Sequence, residues 1–197
     1  MKIEFKIIAD LLPNGSRVLD IGCGDGTLMN LLSNEKNIDV RGLELNEENV
    51  ESCISKGLSV IEGNAETELG QFPDKSFDFV ILSQTLQAFY SPVTVLDHLL
   101  RIGKASIVSI PNFGYWQVRA SLLLKGKMPE TTSLPYKWFD TPNLHMCTIK
   151  DFYELCENRN IKMKKIIGIN SNKTSLINNN NILLKNLFSE VGIFLIS

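Results

Sequence analysis

Residues 17 to 110 hold five short apolar runs, each followed by a stretch of helical spacing or turn residues, and that alternation leaves few folds open. The runs are 17–21, 40–45, 58–61, 77–82 and 105–110. Between them, Leu28, Leu31 and Leu32 keep helical spacing. Asn46 followed by Glu47 and Glu48 offers a capping side chain and two acids to a helix start, and Gly57 offers a stop. Ser91-Pro92 is a cap with proline at the first helical position, and Gly103 ends that helix. Upstream, Ile3, Ile7, Ile8, Leu11 and Leu12 share one helical face that stops at Pro13-Asn14-Gly15. Consecutive strands joined by helices have to run parallel, through right-handed crossovers. An α/β fold with a parallel sheet is therefore expected.

The pattern changes after Pro111. A helical stretch at 116–124 leads into 125–142, which carries three prolines and no clear period. So long an irregular connection in a compact domain predicts a lid or a partner-binding insertion, placed here at 111–147. Thr148-x-x-Asp151 resembles a capping box opening a helix through Phe152, Leu155 and Cys156. Two further strands fit 161–169 and 192–196, and the Asn-rich stretch between them reads as a polar loop. With 197 residues, one domain over 1–197 is expected.

Charge and cysteine usage exclude several functions. The formal net charge is -2, without the basic footprint that nucleic-acid binding needs. Residues 1–100 hold 7 Lys/Arg against 16 Asp/Glu and 101–197 hold 13 against 6, so two surfaces of opposite sign are expected. The 4 cysteines form no Cys-x-x-Cys, and His145-x-Cys147 gives two ligands where a structural zinc site takes four. No metal site is expected. No apolar run approaches the ~18 residues of a membrane span, and the N-terminus lacks a signal-peptide core. A reduced, cytoplasmic compartment is the default expectation.

The informative segment is Val18-Leu19-Asp20-Ile21-Gly22-Cys23-Gly24-Asp25-Gly26. A strand that turns at once into a helix leaves backbone N–H groups free, and glycines let a ligand approach them. Thr27 stands where a dinucleotide fingerprint wants its last glycine. Asp20 would also set a carboxylate beside an anionic pyrophosphate. A ligand with a local positive charge suits the site better, and S-adenosylmethionine, with a sulfonium, an ammonium and no phosphate, fits. Glu44 closes the second strand, where a carboxylate can accept hydrogen bonds from ribose hydroxyls. Asn64, after the third strand, could pair with an adenine edge, although Asn also favours turns for local reasons.

With Glu44 and the strand–helix order, this loop resembles class I S-adenosylmethionine-dependent methyltransferases. That resemblance implies a Rossmann-like sheet of seven strands in the order 3-2-1-4-5-7-6, with the seventh antiparallel. It also implies that S-adenosyl-L-methionine or S-adenosyl-L-homocysteine is bound. Asp20, Gly22, Cys23, Gly24, Asp25 and Gly26 would meet the methionine end, Glu44 and Leu45 the ribose side, Asn64 and Ala65 the adenine, and Ser83 would close the set. Many members carry Asp at the Asn64 position. More specifically, 77–87, Pro111-Asn112-Phe113-Gly114 and 134–148 resemble the MetW family of methionine biosynthesis proteins. That likeness implies homoserine O-acyltransferase as a partner and no particular methyl acceptor.

Two functions follow. One is methyl transfer to a small molecule. The other is a non-catalytic activating or regulatory subunit of homoserine O-acetyltransferase. The Asp/Asn-Pro-Pro-aromatic motif of adenine methylation is absent after strand four, as is a Pro-Cys nucleophile, so nucleic acid is disfavoured as acceptor. Candidate residues on the acceptor side are Asn112, Tyr136, Trp138, Asp140 and His145, with Tyr136 and His145 named as catalytic candidates. His145 has the one ordinary pKa near neutrality among them.

Overall fold

The computed structural model describes residues 2–197. The five expected strands form at Arg17–Ile21 (β1), Asp39–Glu44 (β2), Ser59–Glu62 (β3), Phe77–Ser83 (β4) and Gly103–Pro111 (β5). Each neighbouring pair among them is parallel. Met163–Asn170 (β6), Lys173–Leu176 (β7) and Val191–Ile196 (β8) complete one sheet, ordered β3-β2-β1-β4-β5-β8-β6-β7. Strand β8 lies between β5 and β6 and runs antiparallel to both.

This is the Rossmann-like methyltransferase fold, with one strand more than the expected seven. The addition is β7, which folds back on β6 as an antiparallel hairpin after a turn at Ser171, where φ is +51°. The Asn-rich stretch is thus not a loop throughout. It holds β7, and the chain then forms a short helix at Ile182–Phe188 (α8) before β8.

Helices cover both faces of the sheet. Ile3–Leu11 (α1), Thr27–Lys36 (α2) and Glu47–Ser55 (α3) pack on one side, through Ile8, Leu28, Leu32 and Cys53. The short Ala65–Glu68 (α4), Pro92–Ile102 (α5), Trp116–Ala120 (α6) and Ile149–Asn158 (α7) follow in the chain. Leu96 and Leu99 of α5 and Phe152 of α7 pack with Phe194 of β8 on the other side, the two rings 4.7 Å apart and edge to face. Asn46 caps α3 by accepting from the Asn49 N–H, and Thr148 with Asp151 forms a complete capping box on α7. Helix α6 continues as one π-turn at Ser121–Lys125. Residues 126–148 then form no helix or strand.

One side chain ties the C-terminal end of that segment to the sheet. Asn112, fully buried after β5, donates to the carbonyls of Asn186 and Ser189 and accepts from the N–H groups of Gly114 and Ile149.

Candidate functional site

Strand β1 ends in the glycine loop, and the loop opens α2. Gly26 is the residue before the helix, at φ +75°; a Cβ there would come within 2.5 Å of Leu58, so it must stay small. Gly24 differs. It also has positive φ, +55°, but a Cβ there would meet nothing within 4 Å. Its open side is where a ligand can approach backbone.

Glu44, at the end of β2, holds the loop from below. Its Oε2 accepts from the Gly24 N–H at 2.8 Å, and its Oε1 accepts from the N–H groups of Leu45 and Asn46 at 3.0 and 2.9 Å. Asp20 beside it is 1% exposed, and its Oδ1 has no hydrogen-bond partner among the described residues. Burial, and then the charge of Glu44, push the Asp20 carboxyl up to about 8. Such an acid stays neutral at pH 7 until a positive charge is brought to it.

The remaining loop side chains look elsewhere. The Cys23 thiol packs inward against Gly42, and burial raises its pKa well above an ordinary thiol's. Asp25 accepts from the Thr27 N–H and hydroxyl and pairs with Lys56 at 3.1 Å; these bonds hold its carboxyl below the usual range. Asn64 caps α4 by accepting from the Glu66 N–H at 2.9 Å, which leaves its NH2 free to meet a ligand. Ala65 is buried, whereas Leu45 is two-thirds exposed beside Glu44.

Asp20, Gly22, Cys23, Gly24, Asp25 and Ser83 line one cavity of about 200 Å³. Glu44 joins it through the Gly24 N–H, while Leu45, Asn64 and Ala65 lie outside it, after the neighbouring strands β2 and β3. Glu4 of α1 was not anticipated. It is buried on the wall of this cavity, and its carboxylate accepts from the hydroxyls of Ser83 and Ser109 and from the Gln84 amide. A signal existed: Glu4 shares the apolar helix face with Ile8 and Leu11.

A second cavity, about 550 Å³, adjoins the first and shares Lys2, Glu4 and Gln84 with it. Tyr136 is on its wall. The structure does not bring His145 to either cavity, and only its backbone N–H engages this region, donating to the Gln87 carbonyl at 3.0 Å. Nor is Asn112 on the acceptor side, because its four hydrogen bonds are internal. Among the described residues no three His, Cys, Asp or Glu side chains gather as metal ligands, and no helix is long and apolar enough to cross a membrane.

The sequence matches the model of the family described as methionine biosynthesis protein MetW over residues 2–196. It is 32% identical over 170 residues to the bifunctional methionine biosynthesis protein MetXA/MetW of Rhodopirellula baltica. That match covers 82% of this chain and 27% of the relative, so the chain spans just over a quarter of the relative's length. Among solved structures, a SAM-dependent methyltransferase from Thermotoga maritima superposes with TM-score 0.71 at 20% identity, over 98% of this chain and 86% of that one. The [4+2]-cyclase SpnF superposes with TM-score 0.67 at 13% identity, over 98% and 79%. At such identities the likeness speaks for the fold alone, and proteins named for different chemistries share it.

Proposed function

Because the chain belongs to the MetW family of methionine biosynthesis proteins, we propose that it binds S-adenosylmethionine at the carboxyl ends of β1 to β4 and acts beside a homoserine O-acyltransferase. The observation that carries the first half is Asp20, a buried acid with an unpartnered oxygen, next to the open side of Gly24. A cationic group entering there supplies the missing counter-charge. The loop backbone at Gly22 to Gly26 holds the methionine end, and Ser83 closes it. Glu44 Oε2 keeps a lone pair for a ribose hydroxyl, with Oε1 occupied by two N–H groups. The exposed Leu45 gives adenine an apolar face, and the free NH2 of Asn64 reaches its edge. When bound, the ligand supplies an electrophilic methyl group.

The same features select against a dinucleotide. A pyrophosphate brings Asp20 no positive charge and leaves its buried oxygen unpaired, and Thr27 puts a side chain where the fingerprint has glycine. NAD(H) is expected to bind at least about tenfold more weakly than S-adenosylmethionine. Side-by-side calorimetric titrations check this, and comparable affinities would bring back the dinucleotide reading.

The second half of the proposal is supported by the exposed apolar side chains of the irregular segment and the π-turn before it. Leu123, Leu124, Trp138, Phe139 and Met146 all stand in solvent, with the Trp138 and Phe139 rings edge to face at 5.6 Å. Such clusters mark interaction surfaces, and the Rhodopirellula relative carries a MetXA portion in the same chain. Trp138→Ala is expected to weaken association with the acyltransferase by about 2 kcal/mol, roughly 30-fold, as loss of an interface aromatic does. S-adenosylmethionine binding should stay the same, because Trp138 lies outside the Asp20 cavity. A pull-down and a titration on one variant read both. A folded variant with full partner binding removes the segment as an interface.

A second reading, methyl transfer to a small molecule, is favoured by the large cavity adjoining the Asp20 cavity. Transfer from a sulfonium needs in-line placement more than elaborate acid–base machinery. Formation of S-adenosylhomocysteine in the presence of candidate acceptors is its test.

A further inference from the structure

We infer that the larger cavity is a binding site for a small molecule bearing a primary amine. The inference deepens the cofactor reading above and rests on it for the neighbouring compartment. At about 550 Å³ the cavity has the size of small-molecule sites. Its floor is the carboxyl end of the sheet, at Gln84, Gln87 and Glu190. Its roof is the irregular segment, at Ser133 and Tyr136, and one wall is the first turn of α1, which carries Glu4.

Gln87 is the first sign of a ligand. Its side chain is 4% exposed, its Nε2 donates to the Gln84 carbonyl at 2.8 Å, and its Oε1 has no partner among the described residues. Leaving a buried acceptor unpaired destabilises the fold, and such a group calls for an explanation. The residue is also fixed in place: its carbonyl accepts from the N–H groups of Leu144 and His145 at 2.9 and 3.0 Å, so the roof hangs from it.

Glu4 is the second sign. It too is 4% exposed, and the donors to its carboxylate among the described residues, Ser83, Ser109 and Gln84, are all neutral. Lys2 stands at the exposed rim. Its Oε2 accepts only from Gln84 and keeps a lone pair for one more donor, and a buried carboxylate gains most from a positive charge. An ammonium group offers three N–H donors and that charge, and so satisfies both Gln87 Oε1 and Glu4. An alcohol of the same skeleton has a single O–H donor and satisfies only one of the two. A carboxylate meets Glu4 and Glu190 with like sign, and is rejected.

The test titrates the full-length chain at pH 7 with 1-butylamine, 1-butanol and butyrate, followed by ligand-observed NMR, with S-adenosylhomocysteine titrated into the same preparations. Butylamine is expected to bind at least tenfold more tightly than butanol, and butyrate not at all. Glu4→Gln should reduce amine affinity tenfold or more. Gln87→Met should reduce it threefold or more and leave S-adenosylhomocysteine binding unchanged, because Gln87 lies outside the Asp20 cavity. An amine that binds no better than the alcohol, or equally well to a folded Gln87→Met protein, overturns the inference. If Glu4→Gln does not fold, Gln87→Met decides alone. S-adenosylhomocysteine binding without amine selectivity removes this site and leaves the cofactor reading standing. Amine selectivity without S-adenosylhomocysteine binding does the reverse.

Discussion

Glu44→Ala should weaken binding of S-adenosylmethionine and S-adenosylhomocysteine by roughly 30- to 1000-fold, a loss of about 2–4 kcal/mol. Two effects add. The ribose hydroxyls lose a charged acceptor, and the Gly24, Leu45 and Asn46 N–H groups lose the carboxylate that fixes the loop. Glu44→Gln keeps the shape and separates them, since an amide oxygen can still hold part of the loop but accepts from hydroxyls as a neutral group. Gly24→Val is the complementary change. A Cβ at Gly24 touches nothing in the protein, so the ~1–3 kcal/mol of backbone strain lowers stability, and a loss of affinity in the folded variant comes from occupying ligand space. Isothermal titration of the three variants checks this. Unchanged affinity in both Glu44→Ala and Gly24→Val would sink the cofactor assignment.

Asp20→Asn should raise stability, and by more as pH rises. The Asp20 carboxyl has an unfolded pKa near 3.9 and sits at about 8 in the fold, chiefly through burial. A raised carboxyl pKa favours the folded state in full below the unfolded value, and that contribution is lost as pH climbs to the folded value. The slope is ~1.4 kcal/mol per pH unit over that window and flattens above about pH 8. An amide does not titrate. The stability difference between Asp20→Asn and the parent protein should therefore grow by about 4 kcal/mol between pH 5 and 8, read from urea unfolding. A difference independent of pH would return Asp20 to an ordinary carboxylate. The variant should also bind S-adenosylmethionine more weakly, so the position trades stability for a function. At pH 7 the parent protein should release a proton when the ligand binds, seen as a buffer-dependent heat, and Asp20→Asn should not.

The parallel half of the fold was legible because its information is local. Apolar runs such as Val18-Leu19 and Ile107-Val108, bounded by Gly, Asn and Pro, announce strands without help from the rest of the chain. Strand β7 was not, because Lys173-Thr174-Ser175-Leu176 is a polar edge strand that exists through pairing with β6. Helix α8 was missed for a related reason: Leu183, Leu184 and Phe188 are exposed, so its apolar residues mark no buried stripe. The glycine loop and Asp20 could be read as neighbours, since fewer than ten residues separate them. Glu4 and Gln87 could not, because both come to the site by burial among distant elements. His145 shows the converse: a near-neutral pKa belongs to the residue type and says nothing about where the side chain ends up.

The place of β8 in the sheet has a kinetic consequence. It follows β6 and β7 in the chain, yet it joins β5 to β6, pairing Ile196 with both Ser106 and Met163. Until it arrives, β5 and β6 each present an open edge, and the β6–β7 hairpin has no bond to the parallel half. A nascent chain can therefore form β1 to β5 early and must wait for β8 to unite the sheet. That closure depends on contacts of high sequence separation, which form slowly. It concentrates the risk of edge-to-edge misassembly in one late interval of folding.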